Sequence, residues 1–555
     1  MKPVCLLLCV LLFCASGAFG AVWYVDKASP AAPAAQDGLS WATAFNTLQP
    51  AIDAASTAGG GDVWVCAGNY NEARSWFMHS PAVETGALTL RQWVHVYGGF
   101  LPGNTEISQR DFTANVTVID GASAIGGIGP ALHVVAGASD ALLDGFTVTN
   151  GYSTSSADGG AGLYVEGHFN LTVTNCRFEN NITNGGGGGG IKLASAQNAT
   201  ITNCTFNANQ AYNGGGVLVT EGANNFFQNC TFTMNQSGWD GAGAYLDRGQ
   251  TVFYNCAFSE NTATHAGGGA FAMNTGTDTE LGQCRFSGNK AQLGGGMLNF
   301  TACAHKIVNC VICKNKVTGE GGGGIFNNVN AVPVIVNCTL YGNAAPTGTG
   351  GGMANDHLSA PAVTNCILWG DLSDEIVNLD ASAPVVTYSD VQGGYAGNGN
   401  ITLDPLFGDP ATDRYYLKTS PLSPCIDAGT ATGAPIADFY GTARPQGSAV
   451  DMGPFEAIPF SLLTAVSGQG SVNPPAGNHY YYTAIPVPLL ATALTDWHFD
   501  HWEGPVAAPT AASTSVPLSG LPISVTAVFA HDQATLTLAT SGAGSVTPAV
   551  GPHVY

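Results

Sequence analysis

Between residues 170 and 370 the chain repeats one short pattern of apolar and polar positions. Cysteine recurs at Cys176, Cys204, Cys230, Cys256, Cys284, Cys310, Cys338 and Cys366, at intervals of 28, 26, 26, 28, 26, 28 and 28 residues. Three residues before each stands an apolar side chain: Val173, Ile201, Phe227, Phe253, Leu281, Ile307, Ile335 and Val363. Two residues after each stands another: Phe178, Phe206, Phe232, Phe258, Phe286, Ile312, Leu340 and Leu368. Such spacing suits short strands with one buried face. A period of this size marks a solenoid, whose units each bury an apolar face against the next.

The polar positions supply the corners. Asparagine precedes the cysteine in seven of the eight units, with Gln283 as the exception. A second asparagine follows five residues after it, at Asn181, Asn209, Asn235, Asn261, Asn289, Asn315 and Asn343. Asparagine tolerates left-handed backbone angles, and in stacked turns its amide can bond the amides above and below. The third corner is glycine, in runs such as Gly214-Gly215-Gly216, Gly267-Gly268-Gly269 and Gly294-Gly295-Gly296, each leading into an apolar strand. Three strands and three corners per unit predict a parallel β-helix with coils about 4.8 Å apart. A propeller or sandwich needs hairpin turns at regular spacing, and the Asn-Gly and Asp-Gly pairs do not fall that way.

Other readings of these residues are weaker. The run from Gly185 to Gly190 lacks the Lys-Ser/Thr of a phosphate loop and recurs in every unit. Cys310 and Cys313 have redox-motif spacing, but Cys310 is a ladder position. Stacked cysteines have parallel Cβ vectors, poor geometry for a bridge, so they are expected to be reduced and buried as small hydrophobes. Asn-x-Ser/Thr triplets such as Asn203-Cys204-Thr205 are by-products of the ladder.

The alternation of Gly-Gly-x-apolar with Phe-x-x-Asn (Phe178 to Asn181, Phe206 to Asn209, Phe232 to Asn235) resembles the repeats of chlamydial polymorphic outer membrane proteins. More widely, residues 21–456 resemble bacterial pectate-lyase-like right-handed β-helix proteins. The resemblance implies an all-β, right-handed parallel β-helix. It leaves activity open, because that fold hosts adhesins, lyases, hydrolases and epimerases.

Residues 21–145 read as an N-terminal cap and irregular coils, with apolar strands near Val63–Val65, Val94–Tyr97, Val116–Ile119 and Leu142–Val148. Leu48, Ile52 and Ala55 have helical spacing within 45–57, and a helix there would cover the open edge of the first coil. Residues 146–400 form the regular coils, ending in an irregular one near Val385–Val391. Residues 401–458, with Ser423-Pro424-Cys425-Ile426-Asp427 and Asp451-Met452-Gly453-Pro454-Phe455-Glu456, are similar to the closing, choice-of-anchor segment of bacterial surface β-helix proteins. Their acidic residues fit turn and cap roles, with a weakly bound calcium ion as the alternative. Residues 459–531 resemble a divergent internalin-B-type β-rich repeat. Ser467-Gly468-Gln469-Gly470-Ser471-Val472 returns 74 residues later as Ser541 to Val546, so 532–555 reads as the start of a second, truncated copy with no core of its own. His498 and His501 have the wrong spacing for paired ligands on a helix and suit strand packing better.

Charge narrows the partners. A net charge of −22, with charged residues only 10% of the chain, excludes the basic patches that nucleic acid or an anionic membrane surface requires. Lys2, the apolar run from Val4 to Ala15 and Ala18-Phe19-Gly20 read as a signal peptide over residues 1–20. A lipoprotein reading at Cys14 is weaker because Phe13 precedes it. No later run approaches the roughly 18 apolar residues of a membrane span. The chain is therefore expected to be secreted or extracellular, at the cell surface or outer membrane.

By analogy with the repeat family, Tyr164, Lys192, Leu218, Tyr245, Phe271, Leu298, Phe326 and Ala354 point outward from one strand stack. That row holds one lysine and no carboxylate. Asp240, His265 and Glu320 lie in the adjoining loops, but Asp240 and Glu320 are three coils, roughly 14 Å, apart, beyond the roughly 5 to 9.5 Å of glycosidase carboxylate pairs. Glu221 and Arg248 fall on neighbouring coils as a surface ion pair. The outward row is either covered by a loop or a contact strip for a glycan or cell surface. Tyr212, Trp239, Tyr245, Phe271 and Phe326 are the candidate binding residues. The expectation is a monomeric, adhesin-like protein that binds polysaccharide or a cell-surface ligand, with no metal centre, no cofactor beyond weak calcium and no evident catalysis. The alternatives are a polysaccharide lyase or glycoside hydrolase with its site in the coils before Gly145, and a structural stalk.

Overall fold

The computed structural model describes residues 21–554 except 76, 79–82, 128, 155–158, 265–267, 274–278 and 534. The signal-peptide reading, His265 and Gly267 lie outside the described residues. Two compact units are present, one through Leu403 and one from Asp404.

The first unit is a parallel β-helix in which seven coils carry a short additional strand segment, one more per coil than the pattern predicted. One coil runs Ile191–Ala194, Thr200–Thr202, Thr205–Asn207 and Gln210–Ala211. Each segment pairs in parallel with its counterpart in the next coil, in registers such as Ile191 with Val217, Ile201 with Phe227, Phe206 with Phe232 and Gln210 with Gln236. The fourth segment is only two residues long and carries no apolar run, so periodicity could not reveal it. The first two columns merge into one 22-stranded sheet because Val217–Gln228 and Ala244–Tyr254 run straight through the corner between them. The other columns form sheets of twelve and seven strands. The predicted helix is Leu48–Thr57, and Leu48, Ala51, Ile52 and Ala55 bury its inner face against the first coil.

Stacked identical side chains fill the interior. Phe178, Phe206, Phe232, Phe258 and Phe286 lie face to face, with successive ring centroids 5.2, 4.6, 4.4 and 4.9 Å apart. Phe227 and Phe253 form a second stack at 4.6 Å. The ladder cysteines are all free and buried. Each thiol donates to backbone carbonyls: Cys204 Sγ lies 3.2 Å from the Thr202 oxygen and 3.7 Å from that of Val173, one coil back. Burial pushes the thiols of Cys204, Cys256, Cys284 and Cys338 well above the usual thiol range.

The two asparagine ladders divide the work. The residue before each cysteine adopts the left-handed conformation, with φ of 51° to 55° from Asn175 through Asn365, Gln283 included. There the backbone demand selects asparagine. At the second corner the left-handed residue is the preceding one, such as Ala208 or Met234. The ladder asparagine itself turns inward, fully buried. Asn235 Oδ1 accepts the backbone N–H and the amide of Asn209, both at 3.1 Å, and its Nδ2 donates to the Phe206 carbonyl and to Asn261 Oδ1, both at 2.9 Å. All its polar groups are satisfied, as burial requires. A third column joins Asn299, Asn327, Asn355 and Asn378 amide to amide at 2.7, 2.8 and 2.8 Å, the first three fully buried and Asn378 exposed at its end.

In the second unit the segment before Ala457 is tied by carboxylates that accept backbone N–H groups. Asp451 takes those of Asp427 and Ala457, both at 2.7 Å. Asp438 takes those of Tyr440, Thr442 and Glu456, and Arg444 pairs with a fully buried Glu456. Beyond Pro459 a four-stranded and a three-stranded sheet enclose a core that includes Leu462, Leu489, Trp502, Val525 and Phe529. Thr535–Leu538 and Gly551–Val554 repeat the first hairpin of that module, pairing Thr535 with Val554 as Ser461 pairs with Tyr480.

Candidate functional site

The outward row of the first strand column is Tyr164, Lys192, Leu218, Tyr245, Ala272, Leu298, Phe326 and Ala354. Phe271 does not belong to it. In this coil Ala270 occupies the place of the third glycine, since Gly243 and Gly296 are its counterparts. The strand therefore starts one residue later than the glycine run suggests, and a one-residue slip exchanges the two faces. Phe271 points into the solenoid core, edge-on to Phe253 and Phe258 at 5.0 and 5.6 Å.

Most of the outward row is covered. Ala272, Leu298, Phe326 and Ala354 form a buried cluster with Tyr245 and Leu293 half-buried beside it. The cover is the glycine corner folded back along the strands. A Cβ on Gly187 would lie 2.4 Å from Leu218 Cδ2, and one on Gly321 would lie 3.0 Å from Phe326 Cδ1. Glycine is needed here for close approach. Phe326, with 3% of its surface exposed, is thus unavailable to a ligand. Two of the five candidates, Phe271 and Phe326, are corrected to core, and Tyr245 contributes only an edge.

Tyr212 and Trp239 remain. They sit just past the short fourth strands of adjacent coils, where the chain turns toward the glycine corner. Their rings stack at 5.8 Å between centroids and 21° between planes. The Trp239 N–H donates to the Tyr212 carbonyl at 2.8 Å, and Asp240 N–H donates to Asn213 Oδ1 at 3.0 Å, so the backbone beneath the rings is fixed. Tyr212 is 44% exposed. Beside the pair Gln210 and Gln236 stand in register as exposed amides. A flat aromatic surface bordered by amides can take the C–H face of a sugar ring while the amides bond its hydroxyls.

A second constellation lies on the outward face of the early coils, in the second strand column. Asp62 pairs with His95 across the strands Gly61–Cys66 and Val94–Phe100, with His95 Nδ1 3.3 Å from Asp62 Oδ1. Tyr97, two residues on, points to the same side. The Arg110 guanidinium lies over the Tyr97 ring, 5.2 Å from its centroid, and pairs with the buried Asp144. Burial, with the charges of Asp62 and Asp144, pushes the Tyr97 hydroxyl above the usual phenol range. Sequence reasoning placed an alternative site in these coils but named none of these residues. Asp62 and His95 are 33 positions apart, off the regular period, so only the paired register brings them together.

Glu221 and Arg248 do pair, at 2.7 Å, with both side chains about half exposed, a contact worth under about 1 kcal/mol. Asp240 and Glu320 are not brought together. His498 and His501 each pair with an aspartate, Asp532 at 2.7 Å and Asp500 at 2.9 Å. Among the described residues, Asp356, His357 and Asp380 are the one group of three or more potential metal ligands whose ligand atoms all lie within 4.8 Å of one another, and it is largely exposed.

Residues 131–312 match the family model described as a right-handed beta helix region. No curated protein matches the chain. Among solved structures, the chain is similar to pectate lyase Pel9A, at 15% identity over 80% of this chain and 97% of that one, with a TM-score of 0.43. It is also similar to PfbA, a surface adhesin of Streptococcus pneumoniae, at 14% identity over 62% of this chain and 80% of that one, with a TM-score of 0.33. A tailspike protein of E. coli bacteriophage HK620 shares 12% identity over 87% of this chain and 88% of that one, with a TM-score of 0.29. With stacked parallel strands, inward ladders and a family match in its central coils, the chain is an all-β, right-handed parallel β-helix.

Proposed function

We propose that this is an extracellular β-helix protein that binds a polysaccharide or surface glycan along the side of the solenoid. The Tyr212–Trp239 pair is the point of contact. The observation that carries the reading is a stacked aromatic pair on adjacent coils, Tyr212 exposed and Trp239 half-buried, held on a fixed backbone and bordered by Gln210 and Gln236. The net charge of −22 favours neutral or cationic sugars over polyanions. Screening the purified protein on a polysaccharide array, then repeating the screen with Trp239→Ala, tests it. Binding unaffected by Trp239→Ala overturns this assignment.

One observation favours a second reading, a polysaccharide lyase or glycoside hydrolase. The Asp62–His95 pair beside Tyr97 has the form of a proton-transfer site, with a carboxylate orienting an imidazole. His95 would take or give the proton, and Tyr97 would be the nearest second group. Release of unsaturated or reducing sugar from the polysaccharides on the array, lost in His95→Gln, would establish it in place of the binder.

A further inference from the structure

Each rung of the buried asparagine ladder is donor and acceptor at once. Asn343 Oδ1 accepts the backbone N–H and the amide of Asn315, at 3.0 and 2.9 Å, and its Nδ2 donates to the Ile312 carbonyl at 2.9 Å. The next rung is Asp371. Its Oδ1 repeats the acceptor half, taking the Asn343 backbone N–H at 2.6 Å and Nδ2 at 2.9 Å. Its Oδ2 stands where every earlier rung has an amide nitrogen, and it has no hydrogen-bond partner. Ile312 is in register with Leu340, so the ladder's geometry turns that oxygen toward the Leu340 carbonyl, acceptor against acceptor.

Glu375 repeats the situation. Its Oε1 accepts the Asp371 N–H at 3.1 Å, while Oε2 is buried without a partner. Asp371 and Glu375 are 7% and 6% exposed. They line a cavity of about 370 Å³ with Ser373, Asp374, Gln392 and Tyr395, and none of its lining residues is Lys, Arg, His or Cys. Two orphaned carboxyl oxygens, a third carboxylate at the rim and no basic group leave the cavity short of positive charge.

We propose that this cavity is a divalent-cation site of the calcium type, anchored by Asp371 and Glu375 at the last rung of the ladder. Calcium takes six to eight oxygen ligands and accepts irregular geometry. Carboxyl oxygens, neutral oxygens and room for water suit it, whereas a thiophilic or imidazole-seeking metal finds no ligand of its kind. A bound ion supplies between Asp371 and Glu375 what the amide hydrogens supply in every earlier coil. It thereby fixes the turn in which the Asp374 and Glu375 carbonyls accept the N–H groups of Gly351 and Met353, at 2.7 and 2.8 Å. Without a cation only a proton can sit between the two oxygens, and burial beside Asp371 pushes the Glu375 carboxyl up to about 10.

The test is calcium titration of the chelator-stripped full chain, followed by calorimetry and thermal unfolding. One equivalent should bind, and saturating calcium should raise the melting temperature by several degrees. Asp371→Asn restores the amide of the ladder, so this variant should fold, melt near the calcium-loaded wild type and no longer respond to calcium. Glu375→Gln should weaken binding at least ten-fold. Absence of binding and of any thermal shift in the wild type overturns the proposal in favour of a shared proton. Calcium binding that survives unchanged in Asp371→Asn also overturns it, because the ion then sits elsewhere, with the exposed Asp356–His357–Asp380 group the place to look.

Discussion

Phe232 and Phe258 lie ring on ring, 4.4 Å between centroids and 4° from parallel, both fully buried in consecutive coils. This is the tightest contact of a five-ring stack, and Phe227 and Phe253 flank it at 6.5 and 6.2 Å from Phe232. Truncating a phenylalanine so enclosed removes its burial and leaves a cavity that rigid neighbouring coils cannot close. Phe232→Ala should therefore destabilise the solenoid by about 3–5 kcal/mol. Phe232→Leu should cost less, since most of the volume is kept. Denaturant midpoints of the two variants check this, and equal midpoints would show that the stack contributes little.

The interior thiols should behave as core atoms. Every ladder cysteine is buried and donates to carbonyls, and burial raises several of the thiols well above the ordinary range. Whatever their ionisation, these thiols are inaccessible to reagent, because every one is enclosed in the core. Alkylation of the native protein at pH 8 should leave Cys204 to Cys338 unmodified over hours, and denaturant should release them together. Rapid native labelling, or disulfides between ladder neighbours found by mass spectrometry, would contradict the packing.

How much of this was legible depended on whether a residue's role repeated. The cysteine and asparagine ladders were visible because one side chain met the same neighbours in every coil, and the period alone placed Phe178, Phe206 and Phe232 in one stack. Phe271 was misplaced because glycine runs mark a corner only to within a residue. Ala270 standing in for a glycine shifted the strand by one and turned the side chain inward. The column from Asn299 to Asn378 went unseen because these polar residues replace Leu193, Val219, Leu246 and Met273 of the earlier coils. Nothing in their spacing shows that they bond one another, three of them in the buried interior. The Asp62–His95 pair was hidden by the uneven length of the early coils, and the capping helix was plain from three apolar positions.

Asp451 gives the second unit a pH dependence. Burial, reinforced by the charge of Glu456, pushes its carboxyl from the ordinary 3.8 up to about 7. A raised folded-state value means that the folded form holds the proton more tightly than the unfolded chain does. Its contribution is therefore complete below about pH 4 and is lost as pH rises through about 7. Hydrogen exchange at the Asp427 and Ala457 amides, which donate to this carboxyl, should slow more than base catalysis alone predicts at pH 5 and accelerate beyond it at pH 8. In Asp451→Asn the excess acceleration should disappear. A profile unchanged by that substitution would show that Asp451 ionises freely in the fold.

Binding and folding should separate cleanly along the side of the solenoid. Tyr212 is exposed, Trp239 is half-buried and their rings stack, so Trp239→Ala should lower the melting temperature by only a few degrees. It should still weaken binding to the glycan found on the array by roughly ten-fold or more, since burying one large aromatic at a contact contributes about 1.5–3 kcal/mol. Tyr212→Ala should do the same, and the double variant should lose less than the sum, because each ring supports the other's face. Phe271→Ala and Phe326→Ala should behave in the opposite way. Their side chains are enclosed by the core and by the folded-back glycine corner, so both should lower stability, Phe271→Ala the more, and affect binding only through unfolding. Tyr245→Ala, half-buried, should show a small loss of each. If Phe326→Ala proves stable and binding-deficient, the glycine corner opens in solution and the covered row is the binding surface after all. If neither aromatic substitution changes affinity, the contact lies elsewhere on the solenoid, and the Asp62–His95–Tyr97 face is the next to be substituted.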